Sequence, residues 1–261
     1  MKKLLTIISG FSLFSLASCT KVIDVNLNSS NPQYVVEGSV TNAGSSQTVH
    51  ITRSVNYNEE NTFPAVTNAI VIISDGNTDP DTLTQRTPGY YQTEKLPGIP
   101  GHTYALRIIV DGQELSASSI MPLPVPFDSL GLLTESTFGK EIRTPVIAFN
   151  DPASIHNYYN FIVYKNDRRS KTLYLDFDVV KNGVPVVEFL RDYDSTYNIG
   201  DKLSVEMQCI PQDVYDYYAS LQQTIAQSSA TPANPISNIR GTNVLGYFSA
   251  HTTQLRSLIA R

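Results

Sequence analysis

The sequence predicts a mainly β chain built as two sandwich-like domains, the second carrying one amphipathic helix. Three observations lead there. From Gln33 onward, short runs of β-branched and aromatic residues alternate with Gly, Pro and Asn turn signals, the pattern of an all-β domain. One segment, Met121-Pro122-Leu123-Pro124-Val125-Pro126-Phe127, has proline at every second position. Such spacing cannot pair inside a sheet and stiffens the chain towards polyproline II, so it divides the protein. Finally, the apolar period becomes helical at Val214, Tyr217, Tyr218, Leu221 and Ile225.

The elements follow in order. Tyr34 to Val40 reads as a strand, and Thr48 to Val55 alternates cleanly. Ala69-Ile70-Val71-Ile72-Ile73-Ser74-Asp75 is apolar enough for a central strand. Tyr104–Val110 and Gln113–Ile120 flank Asp111-Gly112, a type I′ hairpin signal. These strands make an Ig/transthyretin-like sandwich over residues 33–121, with 122–127 as the linker. Residues 128–261 then form the C-terminal β-rich domain. Its strands are Tyr158–Tyr164, Thr172–Val180, Val184–Leu190 after the Asn182-Gly183 turn, and Lys202–Ile210. The helix is expected at about 211–227, starting after Pro211, with Ser228–Arg240 as a polar loop. Gly246–His251 and Leu255–Ile259 are expected to close the sheet.

The amino end predicts export. Lys2 and Lys3 precede an apolar run from Leu4 to Leu16, which is shorter than the about 20 residues needed to span a bilayer and suits a signal peptide. Leu16-Ala17-Ser18-Cys19 has the lipobox pattern, so 1–18 is expected to be cleaved and Cys19 acylated. Small residues admit the peptidase, and the thiol carries the lipid that holds the protein to the bilayer. Residues 19–32 then read as a tether. Losing Lys2 and Lys3 takes the net charge from −5 to −7. An acidic chain argues against nucleic acid as a partner, because phosphate neutralisation needs clustered cations. The two cysteines are Cys19 and Cys209. With the first acylated, the second has no intramolecular partner, and its alternation with Leu203, Val205 and Met207 predicts a buried thiol.

Catalytic and metal constellations are not evident. His50, His102, His156 and His251 stand in no metal-ligand spacing, no Gly-x-Ser-x-Gly elbow accompanies Asp151 and His156, and the histidines are expected at the surface or at strand ends. Asp75 to Asp81 has oxygen-bearing side chains like half a calcium loop, but its glycine is misplaced and Pro80 stiffens it, so turn chemistry explains it better. Candidate O-glycosylation sequons place the sugar on Ser129, Thr82 or Ser195. Fifteen tyrosines without tryptophan could form a sugar- or protein-binding face, yet adjacent tyrosines on a strand put one ring into the core and one outside. A binding face, if present, belongs around the helix and the Ser228–Arg240 loop.

Several stretches resemble a known family when taken in order. They are Lys21-Val22-Ile23-Asp24-Val25, Tyr34-Val35-Val36-Glu37-Gly38, Pro64–Ala69, Pro88-Gly89-Tyr90-Tyr91, Gly98–Tyr104, Ser118–Pro122, Asn157-Tyr158-Tyr159, Asn234–Ile239 and Gly246-Tyr247-Phe248. The chain is similar over nearly all its mature length to the Bacteroidetes lipoproteins catalogued as domain of unknown function 4249. That family is usually found beside TonB-dependent outer-membrane receptors, and it has no established catalytic residues. The resemblance therefore implies a non-enzymatic lipoprotein, without cofactor, that assists such a transporter in the uptake of a nutrient. Surface-exported lipoproteins of that phylum often have acidic residues after the cysteine, and here Thr20-Lys21-Val22-Ile23 follows, so the membrane face is left open. A cell-envelope adhesin or carbohydrate-binding module is the alternative, and a hydrolase assembled across both domains is the third.

Overall fold

The computed structural model describes residues 32–56, 59–76, 79–137, 139–153, 155–178, 182–192, 196–226 and 234–261. The expected signal peptide and Cys19, and with them nearly all of the tether, lie outside these residues. The first half contributes β1 (Tyr34–Thr41), β2 (Gln47–Arg53), β3 (Ile70–Ser74), β4 (Asp81–Thr82), β5 (Thr84–Thr87), β6 (Tyr90–Thr93), β7 (Thr103–Val110) and β8 (Gln113–Ile120). The second contributes β9 (Phe127–Thr137), β10 (Lys140–Asn150), β11 (Tyr158–Lys165), β12 (Arg168–Arg169), β13 (Tyr174–Phe177), β14 (Pro185–Phe189) and β15 (Lys202–Ile210). The helix α1 (Gln212–Ala226) and the strand β16 (Val244–Ile259) follow. The architecture is mainly β and sandwich-like, with the helix where its spacing predicts it.

Local chemistry accounts for most elements. In β1, Tyr34, Val36 and Val40 are buried while Glu37 between them is exposed; in β7, Tyr104, Leu106, Ile108 and Val110 are buried. This period of two turns one face of each strand into the core. Asp111 and Gly112 both adopt positive φ, 49° and 77°, as a type I′ turn requires. The Asp111 carboxylate also ties the sandwich together, accepting hydrogen bonds from Tyr34 Oη, Arg53 and Asn68 Nδ2. The Tyr34 and Asn68 bonds hold its carboxyl below the usual range, helped by the Arg53 charge.

Two cores result. The first lies between the sheet β4-β3-β7-β8 and the β16-β1-β2-β6-β5 part of a nine-stranded sheet. The second lies between the sheet β14-β10-β9 and the β11-β15-β16 part of the same large sheet. Met121 belongs to the first core and Val125 to the second, so the change of core falls within the proline-rich segment. Ile239, Phe248 and Ala250, expected from the sequence in the C-terminal domain, sit in the first core. Pro32–Arg261 is accordingly one compact unit.

The large sheet is continuous because β16 changes partner. Val244–His251 runs parallel to β1, with Val36 opposite Gly246 and Gly38 opposite Phe248. Thr252–Ile259 runs antiparallel to β15, with Cys209 opposite Thr252. Gly246–His251 and Leu255–Ile259 are therefore one unbroken strand of 16 residues.

Other departures are local. Ile70 is exposed and β3 has only the two-residue β4 beyond it, so this strand is half-buried rather than central. The long β9–β10 hairpin is a finding of the structure. The strands on either side of Asn182-Gly183 separate, β13 pairing with β11 and β14 with β10. Ile225, at the far end of the apolar stripe of α1, is 72% exposed. Among the described residues no helix is long and apolar enough to cross a membrane.

Gly246 tests this arrangement. Its φ is +107°, and a Cβ there would stand 1.9 Å from the Val36 carbonyl oxygen of β1. Gly112 also has positive φ but meets nothing within 4 Å. Gly246→Ala is expected to lower unfolding stability by about 3 kcal/mol, combining backbone strain with overpacking. Gly112→Ala should lower it by only about 1 kcal/mol. Urea denaturation of the two variants checks the difference.

Candidate functional site

The residues singled out in the sequence fall in separate places. Thr82 lies in β4 opposite Ile72, and Ser129 in β9 opposite Ala148; both side chains are exposed. Asp128, beside Ser129, accepts a hydrogen bond from Asn150 Nδ2. Ser195 lies outside the described residues, as do Asn77 and Thr78 of the Asp75–Asp81 loop. In that loop Asp75 is buried with an oxygen 3.7 Å from His102 Nδ1, and Asp81 accepts a hydrogen bond from Thr93. Both carboxylates thus serve the fold. Among the described residues no group of three His, Cys, Asp or Glu is arranged to hold a metal ion.

Cys209 is buried and free; the Val125 N–H points at its Sγ from 3.4 Å, and burial pushes the thiol pKa up. Three histidines have carboxylate partners: His50 with Glu37, His102 with Asp75, His156 with Asp178. His251 departs from the expectation of surface or strand-end positions. It is 6% exposed in the middle of β16, with Nδ1 2.9 Å from the equally enclosed Ser249 hydroxyl. Thr253, on the same face of the strand, donates to Glu206, which also accepts from Gln208 and Tyr164. This polar layer brings a Ser, a His and a carboxylate into one neighbourhood, with Ser249 and His251 buried and Glu206 half-buried.

The adjacent tyrosines divide between faces. Tyr91 and Tyr159 are buried, while Tyr90 is exposed and stacked on His50 with centroids 3.9 Å apart. Tyr158 turns outward against Tyr215 of α1, and Tyr217 and Tyr218 pack on Tyr247 of β16. Most of these rings therefore seat the helix on the outer face of the sheet. Asn234–Arg240, the described part of the loop expected to bind, is also tied down. Asn238 bonds the N–H and C=O of Phe248 and the Asp213 carboxylate of α1. Ser237 donates to the Gly246 carbonyl, and Arg240 bridges to Ser116 of β8.

The feature that sequence reasoning missed is an apolar groove of about 510 Å³ beside the proline-rich segment. Ile120, Leu123, Ile155, Tyr158, Ile210 and Pro211 line it. Ile120, Leu123 and Ile155 are 59, 60 and 51% exposed, so contiguous aliphatic surface faces solvent. Pro122 and Pro124 fix the backbone that presents Leu123. On its rim His156 Nδ1 lies 3.3 Å from Oδ1 of buried Asp178. The alternation of prolines was the available signal: it marks a linker, but a leucine held between two prolines is also presented outward. A groove of this composition suits apolar contact with a partner.

Comparison with known families places the chain. The model of a family described as a domain of unknown function (DUF4249) matches residues 20–257, so the chain belongs to that family. No match was found among curated proteins.

The buried His251 carries a pH dependence. Desolvation, opposed by Glu206 and Ser249, lowers its pKa from 6.5 to about 4. Between these values the unfolded chain binds the proton and the folded chain does not, so stability falls as pH drops from 6.5 towards 4. The loss from this group is roughly 3 kcal/mol, with none above pH 6.5. Unfolding free energies measured across this range should show a shallower slope in His251→Gln; an unchanged slope would contradict the assignment.

Proposed function

We propose that this family member is a non-enzymatic lipoprotein, anchored to the outer membrane through acylated Cys19, that assists a TonB-dependent transporter in nutrient uptake. The observation that carries the reading is Leu16-Ala17-Ser18-Cys19 at the head of a chain whose remaining length matches the family. A lipid on Cys19 would retain an acidic, β-rich body at the membrane surface. The similarity to Bacteroidetes lipoproteins supports the link to a transporter. The aliphatic groove at Ile120, Leu123 and Ile155 offers a contact surface for a protein partner. A cell-envelope adhesin or carbohydrate-binding module is the second reading, favoured by the exposed Tyr90 ring stacked on His50.

Two measurements test the first reading. Cys19→Ala should move the protein from the membrane fraction to the soluble fraction. Affinity capture of the full chain in mild detergent should recover a TonB-dependent β-barrel, and Leu123→Asp with Ile155→Asp should cut that recovery by about tenfold, as loss of buried contact residues does. Capture without any such barrel would sink the accessory role.

A further inference from the structure

A second cavity, of about 790 Å³, lies at the β11–β12 hairpin and is distinct in character from the apolar groove. Four of the chain's 19 Lys and Arg residues line it within seven positions: Lys165, Arg168, Arg169 and Lys171. This concentration stands out on a chain whose acids outnumber its cations by 24 to 19. The hairpin presents it rigidly. Asn166 and Asp167 have φ of 49° and 64°, a two-residue turn that sets Lys165 directly opposite Arg168. Like charges facing each other across a hairpin are destabilising. Lys165 is relieved by Asp201 at 3.2 Å and lies over the Tyr197 ring. Asp167, the acid within the run, is turned to Lys202 at 2.8 Å. Among the described residues Arg168, Arg169 and Lys171 form no ion pair, so three cations line one cavity against a single carboxylate, Asp192.

The rest of the lining narrows the ligand. Ser170 donates to Asp192 and accepts from the Thr172 N–H, so one carboxylate is fixed in the wall. A carboxylate repels a bare anion but accepts hydrogen bonds from hydroxyls. Thr172 adds a neutral hydroxyl and Tyr197 an aromatic ring, while Asn166 is held in the turn by Asp201 and the Lys202 N–H. The volume lies in the range of small-ligand sites.

We propose that this cleft binds an acidic saccharide, whose carboxylate or sulfate is held by Arg168, Arg169 and Lys171 and whose hydroxyls are met by Asp192 and Thr172. The cleft is separate from the groove offered to a protein partner, and the proposal does not depend on the accessory role.

The test uses the full-length chain in mild detergent and isothermal titration calorimetry with three probes: tri-galacturonate, a sulfated heparin tetrasaccharide and neutral maltotriose. At least one acidic probe should bind, and maltotriose should not. Affinity should fall as salt rises. Arg168→Ala with Lys171→Ala should weaken binding by about tenfold or more, as loss of a charge-assisted hydrogen bond does. Arg107→Ala, which removes a β7 cation paired with Glu114 of β8, should leave it unchanged. The proposal is overturned if neither acidic probe binds, if maltotriose binds equally, or if the double variant retains full affinity. Binding only to phosphatidylglycerol vesicles would overturn it too, by making the cleft a headgroup site.

Discussion

A β-strand has two edges, and each backbone N–H and C=O along them needs a partner when buried. Along about 50 Å of extended chain, at 3.3 Å per residue, β16 meets that requirement with different neighbours in its two halves. One edge is taken by β1 up to His251; the other is taken by β15 from Thr252. The stagger leaves the β15-side edge of the first half open. Gly246, Phe248 and Ala250 point their backbone groups there, and side chains of Ser237, Asn238 and Ser119 satisfy them. Beyond the end of β1, Asn42 does the same for the Thr253 N–H. The two cores therefore share one strand, and side-chain amides and hydroxyls seal its free edges.

Much else follows from that strand. The faces of β16 serve different layers: Phe248 and Ala250 enter the first core, while Tyr247 receives Tyr217 and Tyr218 of the helix. The segment expected to carry a binding face is consumed, in its described part, in closing the strand's edge. Among the described residues two concave surfaces lie to either side of it: the apolar groove beside the proline-rich segment, and the cation-lined cleft at the hairpin beyond β15. Cys209, opposite Thr252 at the change of partner, is a buried packing group, so stability there comes from pairing and burial.

Local features were legible in the sequence. Asp111-Gly112 encodes a hairpin through the positive φ both positions require, the tyrosine spacing encodes α1, and alternation with Leu203, Val205 and Met207 encodes the burial of Cys209. Long-range features were not. Tyr34 and Val244 meet in a parallel pair, and nothing in either run specifies so distant a partner. Gly246 reads only as the start of a sheet-closing run until the Val36 carbonyl behind it is seen. The stripe on α1 promised burial of Ile225, and that side chain is exposed. Leu123 was hidden by its prolines, and the four cations near the β11–β12 turn match no motif and gather at a cavity only once the hairpin folds.

The central claim is that sharing β16 makes the two cores open together. Native-state hydrogen exchange on Phe161→Ala, which empties a ring from the second core only, measures this most directly. The shared strand predicts that the slowest amides of β7, in the first core, lose protection by the same factor as those of β15. Loss confined to β15, with β7 protected as in the parent, would show two independent cores and contradict the account.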